Sequence, residues 1–239
     1  MNKKLALVTG ANRGIGFEVC KQLLQNGMHV ILTSRNEEKG KIAAEKLNDD
    51  GKQIEFYKID LENPATFKMA KEELENAHDR LDILVNNAGI DLEFSPDELV
   101  GASALNPDYD DVLQTITINT VRTMQLTNTL MPLLSKSEDA RIINVSSSMG
   151  QFKSMGTGSI GYRISKAGLN VVTSVFSKEL EHTKIKFNSV CPGWVKTDMG
   201  GKHAELNVED GVKTIIWLAT KPALKESGRF FRDMQEIEW

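Results

Sequence analysis

Cysteine, histidine and long apolar runs are all scarce in this chain of 239 residues, and each scarcity removes a class of protein. There are two cysteines, Cys20 and Cys191, far apart in sequence. That excludes a disulfide framework and a cysteine zinc site, and it fits a reducing, cytoplasmic setting. The four histidines, His29, His78, His182 and His203, lie scattered without the short spacing of metal ligands. They read as surface or packing residues, and no metal is expected. No apolar run approaches a membrane span. The apolar stretch near the N-terminus is too short for a leader and runs straight into a glycine turn, so it reads as a strand. Positive charge is not in excess: Lys and Arg number 29 against 33 Asp and Glu, for a net charge of −4. A surface for nucleic acid or anionic membrane is therefore not expected. The G-x-S-x-G elbow of many serine hydrolases is missing. One sequon, Asn144-Val145-Ser146, falls in an apolar run expected to be buried, which argues against its glycosylation.

What is present alternates strand with helix from end to end. Short runs at Leu5–Thr9, Val30–Thr33, Asp82–Val85, Arg141–Val145 and Ile185–Val190 read as strands, Ile54–Ile59 alternates as another, and Phe230-Phe231 is a last apolar pair. Helical periodicity lies between them, at Gly16–Asn26, Glu37–Leu47 (ending near Asp49-Asp50-Gly51), Pro64–Ala77, Asp108–Leu134, Ile160–Glu181 and Val208–Ala219. Strands that are apolar throughout, rather than alternating, are covered on both faces. The pattern predicts an α/β Rossmann fold: a doubly wound parallel sheet of about seven strands in one domain, residues 1–239.

The first strand runs into Gly10-Ala11-Asn12-Arg13-Gly14-Ile15-Gly16 and then a helix. This is the context of a dinucleotide-phosphate turn. Gly10 would allow the tight turn, Gly14 a close backbone approach to pyrophosphate, and Gly16 close packing of helix on strand. Asn12, Arg13 and Ile15 complete the candidate contacts; a plain βα turn is the alternative. The second strand ends Thr33-Ser34-Arg35 with no carboxylate before Glu37. Arg35, with Arg13, suits the 2′-phosphate of NADP(H) rather than the free 2′-hydroxyl of NAD, unless both are merely solvated.

Tyr162 and Lys166 share one helix face at i,i+4. A free phenol has a pKa near 10 and is a poor acid/base at neutral pH. A neighbouring ammonium would lower that value, so the pair is a candidate proton-transfer device.

In chain order, Thr9-Gly10-x-x-x-Gly14-x-Gly16, Asn86-Asn87-Ala88-Gly89, Ser147, Tyr162-x-x-x-Lys166 and Pro192-Gly193 resemble the short-chain dehydrogenase/reductase family over nearly the whole chain. The stretches Asn144–Gly150, Thr197-Asp198-Met199 and Phe230–Trp239 resemble its carbonyl-reductase-like members. The resemblance implies a sheet order of 3-2-1-4-5-6-7. It implies Tyr162 as proton donor and acceptor, Lys166 as ribose ligand and modulator of the phenol, and Ser147 as hydrogen-bond donor to the reacting oxygen. Asn119 would hold a water linking the lysine to solvent. Asp60 and Leu61 would lie by the adenine, Asn87 and Ala88 by the ribose, and Val195 and Thr197 by the carboxamide and phosphate. Asp60 could instead cap the following helix, Asn119 could bond backbone, and Ser148 remains an alternative to Ser147. Fifteen residues separate Ser147 from Tyr162, which implies a small insertion near Gly156.

The expected activity is NADP(H)-dependent reduction of an aldehyde or ketone and its reverse, on a small-molecule substrate. A nucleotide-binding regulator without turnover and a sugar epimerase are rival readings. Substrate choice would lie in the loops Ile90–Asp108, Met149–Ile160 and Gly200–Leu206, whose composition is unspecific. Monomer and homo-oligomer both remain open.

Overall fold

The computed structural model describes residues 3–48, 53–97 and 99–239. Strand β1 (Leu5–Val8) leads to α1 (Gly14–Gln25), β2 (His29–Ser34), α2 (Glu37–Leu47), β3 (Ile54–Lys58), α3 (Ala65–Ala77) and β4 (Ile83–Asn86). Two short strands, β5 (Phe94–Ser95) and β6 (Val100–Gly101), pair as an antiparallel hairpin in the stretch that reads as irregular. The chain continues through α4 (Tyr109–Ile116), a π-helical turn at Thr117–Arg122, α5 (Thr123–Leu134), β7 (Ala140–Val145), α6 (Ile160–Glu179) and β8 (Ile185–Val190). It closes with α7 (Val208–Gly211), α8 (Lys213–Thr220), β9 (Phe230–Arg232) and β10 (Gln235–Ile237). The expected end of the second helix at Asp49-Asp50-Gly51 lies outside the described residues.

The main sheet runs β3-β2-β1-β4-β7-β8-β9-β10. Its first seven strands are parallel and stand in the expected order. The eighth is a correction: β10 returns antiparallel to β9. Asp233 and Met234 make that turn with φ of 51° and 61°. Positive φ at both central residues suits a two-residue hairpin, but Asp-Met is not the Asn-Gly or Asp-Gly pair that signals one.

Strand periodicity builds two cores. In β1, Ala6 and Val8 face a layer formed with Val19 and Leu23 of α1 and Ile215 and Leu218 of α8. Leu5 and Leu7 face Phe67 and Leu74 of α3 and Leu126, Leu130 and Leu133 of α5. β1 is thus apolar at successive positions because it serves both layers. Between β1 and β4 the strand order reverses direction, and a crevice opens beyond their C-terminal ends.

Candidate active site

A cavity of about 760 Å³ fills that crevice. It is lined by Gly10, Asn12, Arg13, Gly14, Ile15, Arg35, Asp60, Leu61, Asn87, Ala88, Ser147, Tyr162, Lys166, Val195 and Thr197. Every expected nucleotide and catalytic residue therefore reaches one space, except Gly16 and Asn119, which stand behind it.

The glycine turn is built by close approach. Gly10 and Gly14 take φ of +62° and +57°, a region that side chains disfavour. A Cβ on Gly16 would come within 2.6 Å of Asn87 Nδ2 and 2.7 Å of the Gly10 carbonyl oxygen. Asn87 Nδ2 donates to the Thr9 and Gly10 carbonyls at 2.8 and 3.2 Å, and the Thr9 hydroxyl accepts from the N–H groups of Asn87 and Ala88 at 2.9 and 3.0 Å. Asn87 and Ala88 thus tie the end of β4 to the glycine turn. No side chain caps the N-terminus of α1. Its unsatisfied N–H groups and partial positive charge suit a pyrophosphate, and the open turn leaves room for one.

Arg35 Nη1 donates to Glu62 Oε1 at 2.8 Å, and Arg13 pairs with Asp198. Both arginines are more than half exposed and border the crevice. Asp60 does not cap α3; its Oδ1 accepts from the Glu62 N–H at 3.0 Å. Thr197 accepts from Gly200 N–H and lies against Gly14.

Ser147 lies two residues past the end of β7 and Tyr162 in the first turn of α6, and the loop between them brings the serine back over the helix. Its hydroxyl accepts from the Met149 N–H at 3.1 Å and favours the ionised form of the neighbouring Tyr162 phenol. Ser148 also lines the crevice, and its backbone N–H donates to Cys191 Sγ at 3.2 Å. Lys166 Nζ lies 5.4 Å from the centre of the Tyr162 ring and donates to the Val145 carbonyl at 2.8 Å. The lowered phenol pKa expected from the i,i+4 spacing is not what these surroundings produce. Burial, then the negative charge of Asp91, pushes the Tyr162 pKa up, and the neighbouring Ser147 hydroxyl only partly opposes them. Burial also lowers Lys166 to about 8.

Asn119 sits in the π-helical turn, where an extra residue per turn rotates it toward the sheet. Its Oδ1 accepts from Ile90 N–H at 2.8 Å, and its Nδ2 donates to the Ile90 carbonyl at 2.7 Å and Ser165 Oγ at 3.0 Å. Both amide hydrogens are taken, which leaves one lone pair of Oδ1. A Cβ on Gly89 would lie 3.1 Å from that oxygen and 3.5 Å from Lys166 Nζ.

Two acidic residues of the site have no signal in the sequence, because they come from the irregular stretch after β4. Asp91 lines the crevice and acts on both Tyr162 and Lys166. Glu93 is buried and accepts the Tyr162 backbone N–H. A buried polar ladder was equally hidden. Asn86 donates to Asn144 at 2.8 Å, Asn144 to Thr173 at 2.8 Å, and Thr173 shares a 2.8 Å bond with Ser189.

A buried tyrosine and lysine beside an uncapped helix N-terminus, at the switch point of a parallel sheet, form an architecture suited to a nucleotide-dependent oxidoreductase. The short chain dehydrogenase family model matches residues 4–207, and the chain belongs to that family. It is 34% identical to a (+)-neomenthol dehydrogenase of Arabidopsis thaliana, over 99% of this chain and 98% of that one. It is 28% identical to carbonyl reductase [NADPH] 1 of Mus musculus, over 100% and 99%. A short chain dehydrogenase from Shigella flexneri, solved in complex with NADP, superposes with a TM-score of 0.86 at 26% identity, over 97% of each chain. The chain is a carbonyl-reductase-like member of the family, an oxidoreductase acting on carbonyls. No helix among the described residues is long and apolar enough to cross a membrane.

Proposed function

We propose that this chain reduces the carbonyl of a small aldehyde or ketone with NADPH, and catalyses the reverse oxidation, as one domain spanning residues 1–239. The observation that carries this reading is the meeting of Ser147, Tyr162 and Lys166 on the wall of a crevice whose far end is the glycine turn. The carbonyl reductase [NADPH] relative and the neighbour solved with NADP support the choice of nucleotide.

The nucleotide, when bound, supplies the hydride. The chain's residues bind, orient and move the proton. The uncapped start of α1, with Asn12, Arg13 and Ile15, receives the pyrophosphate. Arg35 and Arg13 receive the 2′-phosphate, and Asp60 and Leu61 border the adenine. Asn87, Ala88 and Lys166 hold the ribose side, and Val195 and Thr197 the carboxamide side. Ser147 donates a hydrogen bond to the substrate oxygen, and Tyr162 Oη gives it a proton as negative charge develops. Both donors are in place before the charge appears, which lowers the barrier without reorganisation. A raised phenol pKa suits this direction: the proton stays on Tyr162 until a stronger base, the forming alkoxide, takes it. Asn119 holds Ile90, and so keeps Gly89 beside Lys166. The buried thiols of Cys20 and Cys191 fit a cytoplasmic setting.

Loss of reduced nucleotide, followed against a panel of aldehydes and ketones, tests the reading. Turnover of at least one carbonyl is expected, falling roughly 10²–10⁴-fold in Tyr162→Phe with NADPH binding retained. NADPH binding without turnover across the panel defeats it in favour of a regulator.

A further inference from the structure

Three side chains with no part in that reaction meet at the opposite end of the sheet. His29 opens β2, Glu55 is the second residue of β3, and His78 follows the last turn of α3. The parallel register pairs Ile31 with Glu55. Residues two apart on a strand point the same way, so His29, Ile31, Glu55 and Tyr57 share the face that α3 covers. His29 Nε2 lies 2.5 Å from Glu55 Oε1, and His78 Nε2 lies 3.1 Å from the same oxygen. The two rings stand edge to face, 5.1 Å apart at 83°. One ligand atom from each residue falls within 4.8 Å of the others.

Two further observations point to a ligand. His78 Nε2 is buried and makes no hydrogen bond, because its approach to Glu55 is off the bonding line. Glu55 is also held from behind: the Tyr57 hydroxyl donates to its Oε2 at 3.1 Å and leaves Oε1 facing the two imidazoles. An oriented carboxylate with an outer hydrogen-bond donor is how proteins aim metal ligands.

We propose that His29, Glu55 and His78 bind a divalent transition-metal ion, zinc foremost, as a clamp joining β2, β3 and the end of α3. Two imidazoles and one carboxylate suit zinc, and three protein ligands leave a fourth position for water. His29 and His78 both line a cleft of about 420 Å³ bordered by Gln53 and Asp79, which gives water access to the site. Ligand atoms around tetrahedral zinc stand roughly 3.3 Å apart. The His78–Glu55 spacing is close to that already, and His29 must recede by less than ~1 Å. Lys3 acts on His29 and opposes a cation there, whereas Arg80 is engaged with Asp82. The site is therefore weaker than a closed four-ligand one.

The test is titration of chelator-treated protein with Zn²⁺ against a chromophoric competitor, with Co²⁺ spectra and thermal denaturation alongside. One zinc per chain is expected, with a rise in Tm and visible Co²⁺ bands of low coordination number without thiolate charge transfer. His78→Gln and Glu55→Gln should weaken zinc at least ~10-fold, and Tyr57→Phe by about 10-fold, with NADPH binding unchanged. Co²⁺-shifted proton signals from two imidazoles in the wild type give a readout that does not depend on how the variants fold. Zinc bound no more tightly by wild type than by the His29→Gln/His78→Gln double variant overturns the proposal, as does a thiolate spectrum.

Discussion

Glu93 Oε2 accepts the backbone N–H of Tyr162 at 3.1 Å, so a residue from the loop after β4 caps the helix that carries Tyr162 and Lys166. The residue before that helix, Ser159, adopts a left-handed conformation (φ 47°) and caps nothing. A Cβ on Gly161 would meet the same Glu93 oxygen at 2.7 Å, so glycine is needed for the carboxylate to come this close. Negative charge at a helix N-terminus is stabilising, and a lost cap costs about 1 kcal/mol. Glu93→Ala should lower Tm by roughly 2–4 °C in thermal denaturation and reduce kcat more than it raises KM. An unchanged Tm would show that the cap contributes nothing.

Lys166 is a buried ammonium whose folded-state pKa, about 8, lies below its unfolded value of 10.5. Below pH 8 both states carry the charge and the burial penalty is fully present. Between pH 8 and 10.5 the unfolded chain binds the extra proton, so stability rises with pH. Lys166→Met should therefore be inactive yet more stable than wild type at pH 7. Its advantage, on the order of a few kcal/mol, should shrink as denaturation is repeated toward pH 10. A pH-independent difference would count against the buried charge.

Arg35 pairs with Glu62 in the open, where such a bond adds under about 1 kcal/mol to stability. Against a phosphate it is worth more, about 1.5–3 kcal/mol. Arg35→Ala should leave Tm nearly unchanged, raise the Kd for NADPH roughly 10–100-fold and leave that for NADH alone. Glu62→Gln frees the guanidinium and should tighten NADPH slightly. Equal losses for both nucleotides would remove Arg35 from 2′-phosphate recognition.

Gly16 takes an ordinary helical conformation, and its constraint is purely one of space. A Cβ there would strike the Gly10 carbonyl and the Asn87 amide, and the carbonyl belongs to the backbone of the glycine turn itself. Gly16→Ala should destabilise by about 1–3 kcal/mol and weaken NADPH binding together, read by calorimetry and fluorescence titration. Loss of stability with full NADPH affinity would separate the turn from the nucleotide.

Local patterns carried much of this protein. Apolar runs that serve two layers mark the inner strands such as β1 and β4, Gly10, Gly14 and Gly16 mark the turn, and the Tyr162-to-Lys166 spacing places both on one helical face whatever surrounds them. These depend on backbone periodicity and steric room, which are properties of neighbours in the chain. The direction of the Tyr162 pKa, the Glu93 cap, the antiparallel return of β10 and the meeting of His29 with Glu55 and His78 belong to the tertiary structure. Each turns on burial or on contacts between distant segments. A residue's spacing along the chain says nothing about how much water the fold removes from around it, or about which remote charge the fold sets beside it.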